Sequence, residues 1–308
     1  MLPFLRQFLP RSRGEYRRLP TLVLINGLAE QGESWYRSRE VWQRHFDLQM
    51  PGILVYDGPV LQERMRSGQK ITVDFLTDRL TEFLDRYVQS PPYHIVASSL
   101  GGQIAVEYTH RNPDKVGRVA LLCPSGFGGI EKLPITEGAR HNNSQGLVES
   151  VFHDPRYAIP PVVEYFQRKF ASKPWRKALF QTVRGTKQHS VLAKLPALGR
   201  PTLVICGEQD RIVDPHSVRR EVEHLPNFEF VMLPRCGHAP QLEQPHIVNR
   251  LVLDFLRKEV PAAQPVAAVE PDEEPAEPAA DAPNYKVEAA GQSLMLSREF
   301  SKRDCAHS

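Results

Sequence analysis

Six short apolar runs punctuate the chain, and most of the sequence between them carries apolar residues at helical spacing. Thr21-Leu22-Val23-Leu24-Ile25, Ile53-Leu54-Val55-Tyr56, Tyr93-His94-Ile95-Val96, Val119-Ala120-Leu121-Leu122, Pro201 to Cys206 and Phe228 to Leu233 are the runs. They are short, rich in β-branched residues and bounded by Gly, Pro or Asp, as strands buried on both faces are. Between them, Ser34 to Phe46 fits a helix through Trp35, Val41, Trp42 and Phe46. Thr72 caps a clearer one, with Val73, Leu76, Leu80, Phe83, Leu84 and Tyr87 on one face. Gln103 to His110 reads as a helix stopped by Asn112-Pro113, Ser217 to Leu225 as a short one, and Pro245 opens a last amphipathic helix through Leu256.

Strands alternating with helices at this pace predict βαβ units: a mainly parallel sheet of about six strands, flanked by helices and joined by right-handed crossovers. From Phe127 to about Leu195 the rhythm stops, no strong strand is evident, and the apolar patches look helical. This predicts a helical cap over residues 127–195, inserted into an α/β core formed by residues 19–126 and 196–259. In parallel sheets ligands bind beyond the carboxyl ends of the strands. Gly27, Asp57, Ser99 and Ser125 are all expected at that edge.

The stretch Val96-Ala97-Ser98-Ser99-Leu100-Gly101-Gly102 joins the third run to its helix. A serine on a sharp strand-to-helix turn presents its hydroxyl above the sheet, at the positive end of a helix dipole. Centred on Ser99, the stretch fits G-x-S-x-G with Ala97 for the first glycine; centred on Ser98, it has no flanking glycine. Ser99 is therefore the candidate nucleophile. After the first run, Asn26-Gly27-Leu28 lets the backbone turn unobstructed. The Leu28 amide would then form half of an oxyanion hole, although an ordinary βα loop reads the same way.

Composition narrows the classes. The chain has 308 residues, 41% hydrophobic and 24% charged, with net charge +3. That balance, without aromatic-basic interleaving or zinc-ligand spacing, argues against nucleic acid, a metal site or a cofactor. The four cysteines, Cys123, Cys206, Cys236 and Cys305, form no framework, which fits a reducing, cytoplasmic setting. No apolar run reaches membrane-spanning length. Residues 1–18 lack the plan of a signal peptide and read as an arm. Residues 260–308 are rich in Pro, Ala and Glu, too poor in bulky residues to offset the entropy of ordering, and are expected to be disordered. Such a tail would suit a protein partner.

Ser99 after one strand, Asp210 after a later one and His238 after the last give the order Ser, Asp, His. With Asn26-Gly27, Ser99-Leu100-Gly101-Gly102, Gly207-Glu208-Gln209-Asp210, and Gly237-His238-Ala239-Pro240 followed by Glu243 and Pro245, the sequence resembles the α/β-hydrolase superfamily. The resemblance covers roughly Leu19 to Lys258 and points to the cap-bearing esterases, lipases and carbon–carbon bond hydrolases. It implies an α/β-hydrolase fold and a catalytic triad of Ser99, His238 and Asp210. The Leu28 and Leu100 amides would serve as the oxyanion hole. Asp214 is a rival for the acid. His94 reads as a core histidine, and His141, His153 and His189 as cap residues near substrate.

The chain departs from the family at Asn26, where relatives carry histidine, and at Asp57-Gly58-Pro59-Val60, where a glycine-rich turn ending in serine is usual. About 20 residues precede the first strand, so the antiparallel pair that often opens the fold is not expected. The implied function is hydrolysis of a small-molecule carboxylic ester or similarly activated carbonyl. The alternatives are a carbon–carbon bond hydrolase of a ring-cleavage diketone, with Arg184 or another cap base on a free carboxylate, and a non-catalytic binder on the same fold.

Overall fold

The computed structural model describes residues 19–88, 91–129 and 131–258. The expected arm and the expected acidic tail lie outside the described residues. In chain order the elements are β1 (Thr21–Ile25), α1 (Tyr36–Trp42), β2 (Asp47–Gln49), α2 (Pro59–Arg66), α3 (Val73–Tyr87), β3 (Tyr93–Ser98) and α4 (Leu100–Arg111). There follow β4 (Val116–Leu122), α5 (Pro134–His141), α6 (Ser144–Val151), α7 (Pro160–Ala171) and α8 (Lys173–Thr186). The last elements of the described residues are β5 (Thr202–Gly207), α9 (Pro215–Val222), β6 (Phe228–Leu233), α10 (Pro240–Glu243) and α11 (Pro245–Arg257).

The strands form one six-stranded sheet in the order β2-β1-β3-β4-β5-β6, and each recorded pairing is parallel. Strands β1, β3, β4 and β5 are the continuous apolar runs, and nearly all their residues are buried because helices cover both faces. One face packs Leu24, Val96, Ala120, Leu122 and Ile205 against Trp35, Trp42 and the Val248, Val252, Phe255 stripe of α11. The other packs Val23, Ile95, Leu121 and Val204 against α3 and α4. Thr72 caps α3 by accepting the Phe75 amide, as its place before the amphipathic stripe predicts.

The second strand needs correcting. Ile53–Tyr56 is not a strand but a pair of turns, and the edge strand is Asp47–Gln49. Ile53, Leu54 and Tyr56 are buried with Val55 exposed, so the run is apolar because it packs beneath neighbouring loops and helices. Tyr56 meets the Trp175 ring of α8 at 5.3 Å. The helix expected over Ser34 to Phe46 is a 3₁₀ turn (Gly32–Trp35) followed by α1, and the one expected at Ser217 begins two residues earlier, at Pro215.

The four helices α5 to α8 lie between β4 and β5 in sequence, with no strand among the described residues there. Two ties fasten this insertion to the loop after β6. The His238 amide donates to the Val151 carbonyl at the end of α6 (2.8 Å). The Glu243 carboxylate accepts from the Gly237, His153 and Asp154 amides at 2.7, 2.9 and 3.2 Å.

Candidate active site

Ser99 sits on the turn between β3 and α4 with φ +48° and ψ −118°, a conformation that side-chain-bearing residues rarely adopt. Its amide donates to the Leu122 carbonyl, and its carbonyl accepts from Gly102 and Ser125, so the strained turn is held from three directions. Close packing makes room for it. A Cβ on Gly101 would come within 2.6 Å of the Ile25 carbonyl oxygen, and one on Gly27 within 2.9 Å of Ser99 Cβ. The glycines after β1 and at the start of α4 therefore let the two loops touch.

His238 Nδ1 and Asp210 Oδ2 are 2.7 Å apart, and the Asp210 side chain is 1% exposed. Since a carboxylate only accepts, the imidazole donates from Nδ1, leaving its other nitrogen as the basic one. The second oxygen of Asp210 accepts the Ile212 and Val213 amides at 2.8 and 3.1 Å, which fixes the carboxylate. Asp214, the rival acid, instead caps α9, accepting from the His216 amide and the Ser217 hydroxyl. Burial alone would lower the His238 pKa. The Asp210 charge and hydrogen bond outweigh it, so the imidazole is held well above its ordinary value.

Ser99 and His238 line one cavity of about 520 Å³, together with Leu28 and Leu100; Asp210 stands behind the imidazole, out of the wall. The Ser99 hydroxyl makes no hydrogen bond among the described residues, and neither the Leu28 nor the Leu100 amide has a protein acceptor there. Most of the remaining wall is apolar and comes from the inserted helices and their connections, including Ile135, Leu147, Val151, Phe152, Val162 and Phe166. Three cations, Lys132, Arg168 and Lys187, also line it; Arg184 does not. His141, His153 and His189 are outside this wall as well, His189 lying 3.4 Å from Glu107. Asp57 pairs with Lys169 at 2.8 Å and belongs to a neighbouring cavity of about 240 Å³.

Cys123, Cys206 and Cys236 are buried free thiols. The Cys123 sulfur, an Asp210 oxygen and a His238 nitrogen lie within 4.8 Å of one another. Burial pushes the Cys123 thiol well above its usual range, and both Asp210 oxygens are engaged in hydrogen bonds. The chemistry of the group is that of a buried acid–base pair backed by a neutral thiol. His94 packs edge-on to Phe46, and burial lowers its pKa to about 4.

Three polar wall residues were not singled out from the sequence. Glu131 accepts the Gly126 amide at 2.5 Å, and burial raises its carboxyl above the usual range. Gln103 donates to the Ser125 hydroxyl at 3.0 Å and leaves its own carbonyl oxygen buried without a partner. Glu30 accepts from the Gly27 amide and the Ser98 hydroxyl at 3.0 and 2.7 Å. Their only sequence signal is adjacency to Ser99, Ser125 and Gly27. Asn26 accepts the Trp35 indole N–H at 2.6 Å, so its carbonyl is spent on holding the 3₁₀ turn.

A parallel sheet, a serine on a strained strand-to-helix turn, and a histidine paired with a buried acid beside it define the architecture of an α/β hydrolase. The model of the alpha/beta hydrolase family matches residues 22–251, and the chain belongs to that family. Among curated relatives, the monoacylglycerol lipase ABHD6 of Homo sapiens is 22% identical over 273 residues, covering 81% of this chain and 79% of the relative. The pimeloyl-(acyl-carrier protein) methyl ester esterase of Nitrosospira multiformis is 28% identical over 260 residues, covering 77% and 95%. Among solved structures, the 2-hydroxy-6-oxo-6-phenylhexa-2,4-dienoate hydrolase of Rhodococcus sp. strain RHA1 superposes with a TM-score of 0.64 at 20% identity, covering 78% of this chain and 91% of that one. At that identity the likeness speaks for the fold alone.

Proposed function

We propose that the protein is a serine hydrolase that cleaves a carboxylic ester through an acyl-enzyme, with residues 127–195 as the cap over its site. The observation that carries this reading is the His238–Asp210 hydrogen bond of 2.7 Å beside a cavity wall shared by His238 and Ser99. Ser99 Oγ attacks the carbonyl carbon while His238 takes its proton. The tetrahedral oxyanion is received by the Leu28 and Leu100 amides, each such donor contributing about 3 kcal/mol to lowering the barrier. His238 then returns the proton to the leaving alcohol. Water, activated by the same imidazole, attacks the acyl-enzyme, releases the acid and frees Ser99. Asp210 fixes the tautomer and stabilises the imidazolium.

The largely apolar wall supports an ester with an aliphatic or aromatic acyl group rather than a polymer. Relatives named as a monoacylglycerol lipase and a methyl ester esterase support the same substrate class. A second reading, hydrolysis of a carbon–carbon bond in a diketone acid, draws on Lys132, Arg168 and Lys187 as partners for a free carboxylate. Labelling with a fluorophosphonate probe, read by intact mass, tests both readings against a non-catalytic binder. One adduct is expected on the wild type and none on Ser99→Ala. A folded wild-type protein without an adduct would sink the hydrolase reading. Turnover of short-chain and long-chain acyl esters beside a diketone acid then separates the two substrate classes.

A further inference from the structure

We propose that Glu30 is a positioning residue for the oxyanion hole, setting the loop that presents the Leu28 amide; the inference rests on the serine-hydrolase reading. The loop Gly27 to Glu30 leaves β1 and closes on itself. The Glu30 amide donates to the Gly27 carbonyl (3.3 Å), and the Glu30 carboxylate takes back the Gly27 amide (3.0 Å). The other carboxylate oxygen accepts the hydroxyl of Ser98, a fully buried residue directly before the nucleophile, at 2.7 Å. One side chain therefore bridges the loop that offers one oxyanion donor to the strand end that offers the nucleophile and the other donor.

The contact is tight. A Cβ on Gly27 would fall 2.8 Å from a Glu30 carboxylate oxygen and 2.9 Å from Ser99 Cβ. The loop is also strained, since Ala29 holds φ +61° while 97% buried. A left-handed alanine persists only where its surroundings over-determine it. Two ties do so here: the two-bond Glu30 bridge on one side and, on the other, the Ala29 amide donating to the Tyr56 hydroxyl at 3.1 Å. With Gly27 and Ala29 both committed, Leu28 between them keeps the free amide and lines the cavity beside Ser99. Without the bridge the strained loop relaxes, and the Leu28 amide leaves the place where the oxyanion forms. Ground-state binding in the apolar part of the cavity does not depend on that amide.

The test compares Glu30→Ala, Glu30→Asp and Glu30→Gln in the full chain, using a p-nitrophenyl ester for kcat and KM and fluorophosphonate for the labelling rate. Alanine removes the bridge. Aspartate keeps the charge but is a methylene too short to span Gly27 and Ser98, while glutamine keeps the span without the charge, its amide oxygen accepting the Gly27 amide and its NH2 donating to the Ser98 hydroxyl oxygen. Misplacing a reacting group by about an ångström costs about 10²-fold. Glu30→Ala and Glu30→Asp are accordingly expected to lose about 10- to 100-fold in kcat and in labelling rate at unchanged KM. Glu30→Gln is expected to recover most of that loss. Should the alanine variant not fold, the contrast of aspartate with glutamine decides.

Wild-type kcat in Glu30→Ala, aspartate performing as well as glutamine, or kcat and KM failing together would each overturn the assignment while leaving the hydrolase reading intact. An unlabelled wild type would overturn both.

Discussion

His238 is buried, and burial favours the neutral ring, yet the Asp210 carboxylate 2.7 Å away holds its proton more firmly. The sign matters for activity. In the proposed mechanism His238 is the general base and must be neutral to accept the serine proton, so a raised pKa moves the rise of activity to higher pH. The kcat/KM profile for an ester is expected to climb through an apparent pKa above the ordinary imidazole value near 6.5. In Asp210→Asn the midpoint should move down, with a large fall in kcat because the amide cannot fix the tautomer. A wild-type midpoint at or below the free imidazole value would contradict the electrostatic account. Glu131 also lines the cavity and interacts electrostatically with His238, so the same profile in Glu131→Gln shows whether its charge contributes.

Among elements, the β3–turn–α4 unit holds a side-chain-bearing residue in a strained conformation at the cavity wall. Ser99 at φ +48° is a state that costs a side-chain-bearing residue about 1–3 kcal/mol and glycine little. Ser99→Gly is therefore expected to be more stable than Ser99→Ala by about 1 kcal/mol, after allowing for glycine's greater entropy loss on folding. Urea denaturation of the two variants measures the difference, and equal midpoints would mean that the turn is not strained. This unit was legible in the sequence because a β-branched run, a small-residue turn and a helix stopped by Asn112-Pro113 follow one another in the order such a turn requires.

The edge of the sheet was not legible, for reasons visible in the residues. Asp47–Gln49 pairs along three residues and carries one apolar side chain, so it leaves almost no periodic trace. Ile53–Tyr56 imitates a strand because burial beneath neighbouring elements demands apolar residues in any backbone conformation. The same distinction holds at the site. Ser99, Asp210 and His238 could be picked out because each follows a recognisable strand. Glu30, Gln103 and Glu131 reach the cavity through turns that fold back, a three-dimensional placement that spacing along the chain does not encode.

Across the whole molecule, the insertion and the histidine loop are coupled through Glu243. Its carboxylate accepts three backbone amides, one from the loop and two from the segment after α6, and a half-satisfied set would leave buried donors without water. Glu243→Ala is expected to destabilise the protein by about 2–4 kcal/mol in urea. Its fluorophosphonate labelling should slow even where the chain remains folded, because the His238 loop loses its brace. Unchanged labelling in a destabilised variant would uncouple the loop from the insertion. No helix among the described residues is long and apolar enough to cross a membrane.

The cavity wall is written in two separate parts of the chain. Ser99, Leu100, Leu28 and His238 come from the ends of strands, whereas Ile135, Leu147, Val162 and Phe166 come from the inserted helices. Mutational drift can therefore alter the second set without disturbing the first, so long as Val151, His153 and Asp154 keep their backbone anchorage to His238 and Glu243. The fold thus separates the reagent from its filter. A library confined to the inward positions of residues 133–183 would explore substrate range while inheriting working chemistry, and a graft of this insertion onto a related core must carry its footing at residues 151–154 to succeed.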